Sequence, residues 1–115
     1  LAVAGDWLAV GLDLRPERFA AFPWRRSPPP SLEGVVEELI RLGVARFVLS
    51  HAGRDPDAAA LAQLVRSYPA EYVVAGAADL AAIGRLRSTG VQGVIIGEPL
   101  LSGALDFTAA REAAA

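Results

Sequence analysis

The sequence has no cysteine, no lysine and a single histidine. Without cysteine there are no disulfides and no thiolate metal sites, and one imidazole alone is a poor start for any other metal site. No metal is therefore expected, and the lack of cysteine fits a cytoplasmic protein. There is no run of about 18 apolar residues, so no membrane partner is expected. There is no block of like charge, and the formal net charge is only −2. A nucleic-acid footprint needs a basic stripe, so a nucleic-acid partner is excluded as well. No basic, apolar leader opens the chain, and a secretion signal is not expected.

What is present is 115 residues that are 53% hydrophobic. That is enough for one core, and residues 1–115 read as a single globular domain. The chain opens on Leu1 and closes on an alanine run, as expected of a piece of a longer protein.

Four short apolar runs read as buried strands, at residues 8–13, 46–51, 72–76 and 92–97. Helical patterns separate them. Ser31 is an N-cap before Leu32, Val35, Val36 and Leu39, and Gly43 closes that helix. Asp55-Pro56 reads as the next helix start, with Leu61, Leu64, Val65 and Tyr68 as its apolar stripe and Pro69 as its stop. Asp79 caps a third helix carrying Leu80, Ile83 and Leu86, which Gly90 ends. A turn or short helix over Pro99–Gly103 leads to a last helix that Thr108 caps. Five prolines between Arg15 and Pro30 leave that stretch as a long loop.

The order βαβαβαβα implies α/β architecture, with parallel strands and helical crossovers. Two arrangements fit: an open doubly wound sheet, or four βα units forming half of a (βα)₈ barrel with its helices on the outer face. Glycines at strand ends, Gly76 and Gly97, let backbone approach an anion at the sheet's C-terminal edge, and they favour the barrel. The first βα turn lacks Gly-x-Gly-x-x-Gly, which weakens a dinucleotide reading. Four strands cannot close a barrel, so two edges and one apolar face need a partner. Either an N-terminal half-barrel or a second copy of the chain would serve.

Gly11-Leu12-Asp13-x-Arg15, with Trp24 further on, resembles the fifth strand and loop of the ribotide isomerases of histidine biosynthesis. Gly90-Val91-Gln92-Gly93-Val94-Ile95-Ile96-Gly97-x-x-Leu100-x-x-Gly103 is similar to that family's eighth strand and phosphate-binding helix. Arg54-Asp55 sits where the family has a basic residue followed by Asp after strand six. The resemblance runs from about Asp6 to the end, as the C-terminal half of the family's TIM barrel.

It implies an isomerase that turns a phosphoribosylated aminoaldose into an aminoketose (an Amadori rearrangement) without cofactor. It also implies a phosphorylated ribosyl small molecule as the partner. Asp13 matches the catalytic acid that ends strand five; the acid of strand one would lie upstream of Leu1. Ser50 matches an assisting hydroxyl at the end of strand six. Asp55 matches a family Asp near the same loop, although an Asp before Pro56 is already explained as an N-cap. His51 stands where the family usually has an acid, and it can hold a phosphate or simply bond backbone. Gly76 and Gly97 match the phosphate site. Ala75 replaces the first glycine of a pair, and Glu98 occupies a position that is typically basic or small. Trp24 can stack on a heteroaromatic ring, and Arg15 belongs to the same substrate-facing loop.

Two other readings stay open. Ala75, His51 and Glu98 suit a non-catalytic barrel half with a structural or weak phosphate-binding role. Gly97-Glu98-x-Leu100 is also similar to the last strand of a phosphate-binding barrel enzyme of tryptophan biosynthesis.

Overall fold

The computed structural model describes residues 7–14, 31–50, 57–77 and 79–115. Its elements alternate as expected: β1 (Val10–Asp13), α1 (Leu32–Arg41), β2 (Arg46–Ser50), α2 (Ala58–Ser67), β3 (Glu71–Ala75), α3 (Leu80–Arg87), β4 (Gly93–Ile95), α4 (Glu98–Ser102) and α5 (Phe107–Ala114).

Helix starts are set by oxygen atoms that satisfy otherwise orphaned amides. Ser31 Oγ accepts from the Gly34 amide at 3.1 Å, and Asp79 Oδ1 accepts from Ala82 at 2.8 Å. Two starts differ from the sequence reading. The cap of α2 is Asp57, whose carboxylate accepts from Ala59 and Ala60, so the N-cap role given to Asp55 falls two residues later. The cap of α5 is Asp106, which accepts from Ala109 at 3.0 Å, and Thr108 lies inside the helix. In both cases a carboxylate sits at the positive end of the helix dipole, which it stabilises as an ion as well as by hydrogen bonding. Gly43, at φ 103°, and Gly90, at φ 93°, end α1 and α3 in the left-handed conformation that glycine adopts without strain.

All four strands are parallel, in the order β1-β2-β3-β4. Strand order therefore never reverses. Right-handed crossovers that always step the same way put every helix on one face of the sheet. This distinguishes the two arrangements: a doubly wound sheet needs a reversal, and a barrel does not. The fold is half of a (βα)₈ barrel.

Burial follows that geometry. Phe47, Leu49, Tyr72 and Val74 point to the helices and have no exposed surface. They form one core with Val36, Leu61, Leu64, Ile83 and Leu86 from the helices. The Phe47 and Tyr72 rings stack with centroids 5.6 Å apart, and the Tyr72 hydroxyl donates to the Tyr68 carbonyl at 2.7 Å. Burial, and secondarily Tyr68, raises the Tyr72 phenol above its ordinary pKa. Val48, Ser50, Val73, Ala75 and Ile95 alternate onto the other face, where they are half-buried or exposed.

β1 and β4 are shorter than the apolar runs read at 8–13 and 92–97, and β3 lies one residue earlier than the run at 72–76. β1 begins at Val10, after exposed Trp7 and Leu8. β3 stops at Ala75 because Gly76 turns to φ 105°. Before β4 begins, Gln92 already clasps its neighbour: its side-chain oxygen accepts from the Tyr72 amide at 2.7 Å, and its own amide donates to the Tyr72 carbonyl at 2.8 Å.

Candidate functional site

Register places one row of residues across the C-terminal end of the sheet. Asp13 pairs with Ser50, Ser50 with Ala75, and Ala75 with Ile95. Residues paired in parallel strands lie on the same face, so all four stand on the side away from the helices. The row beneath them is Gly11, Val48, Val73 and Gly93. Beneath that, Arg46 Nε meets Glu71 Oε2 at 2.6 Å. In a barrel this face is the lumen, and the top row lies at the mouth, where catalysis occurs.

Asp13 and Ser50 are thus direct neighbours on adjacent strands, about 4.8 Å apart across the ladder. The ladder continues past them, because the Leu14 amide donates to the Ser50 carbonyl at 2.7 Å. Both side chains are half-buried, and small residues lie below and beside them at Gly11 and Ala75. A carboxylate and a hydroxyl so placed can share a substrate oxygen, or the hydroxyl can orient the carboxylate.

Gly76 follows the top row on β3. Its amide is already used, donating to the Ile95 carbonyl at 3.2 Å. What it offers is room: a Cβ built there would meet nothing within 4 Å. Gly97 follows β4 and opens α4 as its N-cap without a side-chain bond, and it too faces open space. Both glycines lie on the rim that carries Asp13. From β1 to β4 the sheet spans three strand spacings, about 14 Å.

Asp13, Ser50, Ala75, Gly76 and Gly97 therefore share one edge. Arg15, Trp24, His51 and Asp55 lie outside the described residues. Glu98 is exposed in the first turn of α4. Among the described residues no group of three or more His, Cys, Asp or Glu side chains could hold a metal ion, and no helix is long and apolar enough to cross a membrane. The sequence reading missed the Arg46–Glu71 pair at the floor of this face, because it depends on strands whose pairing is set by the fold.

No protein-family model matches the chain. Curated relatives do, and three of them are named as phosphoribosyl-(phosphoribosylamino)methylideneamino-imidazole-carboxamide isomerases. The Salinispora arenicola protein is 35% identical over 93% of this chain and 47% of its own length. The Roseiflexus castenholzii protein is 34% identical over 100% of this chain and 50% of its own. The Leuconostoc mesenteroides protein is 27% identical over 93% of this chain and 48% of its own. The chain spans about half the length of the curated relatives it matches, and it resembles their C-terminal half.

Proposed function

We propose that this chain is the C-terminal half of a cytoplasmic ribotide isomerase of histidine biosynthesis, acting on a phosphoribosylated aminoimidazole carboxamide. The observation that carries the reading is the placement of Asp13 beside Ser50 at the mouth of a parallel half-barrel, on the same rim as Gly76 and Gly97. Its support from relatives is the similarity to isomerases over nearly the whole chain.

The aldose-to-ketose shift needs the sugar ring opened and a proton moved between neighbouring carbons. One group protonates the ring oxygen, and another removes the carbon-bound proton. Asp13 is one of the two, with Ser50 holding the substrate oxygen beside it. The second acid comes from the four strands that complete the barrel. Two carboxylates across one mouth take opposite roles when their surroundings push their pKa values apart. The open space at Gly76 and Gly97 admits a phosphate close to backbone. Arg15, Trp24, His51 and Asp55 complete the substrate contacts. Neither metal nor cofactor takes part in these proton transfers.

Glu98 favours a second reading, a barrel half that has lost turnover. A carboxylate about 4 Å from a phosphate costs about 1 kcal/mol per charge pair in water, and about 4 kcal/mol at a partly buried surface. Glu98 is exposed, so the smaller figure applies, and the repulsion weakens a phosphate site without abolishing it.

The test is an isomerase assay on the chain combined with the N-terminal half of the Salinispora arenicola relative. Turnover that falls by two or more orders of magnitude in Asp13→Asn supports the reading. Turnover that is indifferent to Asp13→Asn refutes it. A well-folded complex without turnover would establish the second reading in its place.

A further inference from the structure

We propose that Gly11 is a specificity-determining residue: it leaves a recess beneath Asp13 that takes the carbon skeleton of the sugar, while the phosphate stays on the rim at Gly76 and Gly97. The inference deepens the proposed function and rests on its reading of Asp13 as the group that meets the sugar.

A glycine inside a strand needs a cause. It weakens the strand, because it loses more backbone freedom on folding than other residues and offers no side chain to pack. The usual causes are absent at Gly11. Its φ is not positive, unlike that of Gly76. The strand carries no bulge there, since Val10, Gly11, Leu12 and Asp13 pair one to one with Phe47, Val48, Leu49 and Ser50. No side chain among the described residues crowds it either: a Cβ there would meet the Val48 carbonyl oxygen at 3.9 Å, an ordinary contact. At Gly34, by contrast, a Cβ would stand 3.2 Å from the Ser31 Oγ. The cause that remains is close approach of a ligand or of another backbone.

The position decides between them. Gly11 lies two residues before Asp13 on the same strand, so both face the lumen, about 6.6 Å apart along β1. Gly11 is exposed, and its neighbour on β2 is Val48. The rest of the row, Val73 and Gly93, has no polar side chain. Such a floor holds no charged phosphate and suits the C–H face of a sugar. Directly above it, Asp13 and Ser50 meet the hydroxyls. The carbon that gives up its proton has to come within reach of a carboxylate, and a side chain at residue 11 would fill the space under Asp13.

Equilibrium titrations of the full chain with ribose 5-phosphate and with inorganic phosphate, together with thermal melts by circular dichroism, provide the test. The variants are Gly11→Ala, Gly11→Val and, as control, Gly84→Ala. Gly84 is exposed on α3, and a Cβ there would meet nothing within 4 Å. Both alanine variants should melt at or above the temperature of the parent, because alanine restricts the unfolded chain without a steric cost in the folded one. Gly11→Ala should bind ribose 5-phosphate about tenfold more weakly, the lower end of what one methyl-sized group is worth in an apolar pocket. Gly11→Val should bind it more weakly still, and Gly84→Ala as the parent does. Inorganic phosphate should bind all four proteins alike. Equal ribose 5-phosphate affinity in the parent and both Gly11 variants would overturn the proposal and leave the phosphate rim standing. Equal losses for the two ligands would overturn it as well, by placing the phosphate over residue 11. A melt lowered by Gly11→Ala would overturn it in favour of a packing role. A parent chain that binds neither ligand would remove the rim and the recess together.

Discussion

Replacing Gly76 by alanine separates two properties that this position combines, backbone strain and open space. Its φ of 105° lies in the left-handed half of the map, where an L side chain costs about 1–2 kcal/mol. No atom lies within 4 Å of the new Cβ, so there is no clash to add. Alanine also restricts the unfolded chain, which returns about 0.4–1 kcal/mol. The net loss is roughly 1 kcal/mol, or about 5 °C in melting temperature for a domain of this size. Gly43→Ala is the control for binding, because Gly43 has φ 103° but ends α1 at the opposite end of the sheet. Only Gly76→Ala should also weaken binding of inorganic phosphate, by placing a methyl group in the rim. A Gly76→Ala protein as stable as the parent would refute the strain assignment. Equal phosphate affinity in all three proteins would refute the role of the space.

Three further outcomes follow from the packing. Asp106→Ala should cost about 1 kcal/mol in denaturant unfolding, whereas Thr108→Ala should stay within about 0.5 kcal/mol, because the cap of α5 is the carboxylate. Phe47→Ala should cost about 3–5 kcal/mol and bring the chain close to unfolding at room temperature, since the ring is fully buried and stacked on Tyr72. The Tyr72 phenol is raised in the folded state, so its neutral form is the one folding favours. Its contribution is complete below the unfolded value near 10.0 and is lost as pH climbs through the raised folded value, so stability should decline in strong alkali, and less so in Tyr72→Phe.

The sequence pattern carried the four βα units, because helix and strand periodicities differ and glycines at φ near 100° mark the helix ends. It also carried Ser31 and Asp79, which are isolated capping residues. It misplaced the caps of α2 and α5, because two acceptable capping residues stood within two positions of each other and spacing alone does not choose between them. The choice between barrel half and doubly wound sheet depended on strand order, which local periodicity does not encode. For the same reason the Arg46–Glu71 pair and the Gln92 clasp on Tyr72 could not be read in advance. They join residues 25 and 20 positions apart through register. The placement of Asp13, Ser50 and Ala75 on one face followed from strand alternation, and their alignment in one row followed from pairing.

Residue-resolved NMR titration of the chain with ribose 5-phosphate tests the site most directly. The account predicts that the amides around Gly76 and Gly97 and that of Leu14, next to Asp13, shift together along one saturating curve, while those of Gly43 and Gly90 at the opposite end of the sheet stay still. Shifts confined to the far end, spread evenly over the surface, or absent at millimolar ligand would contradict it.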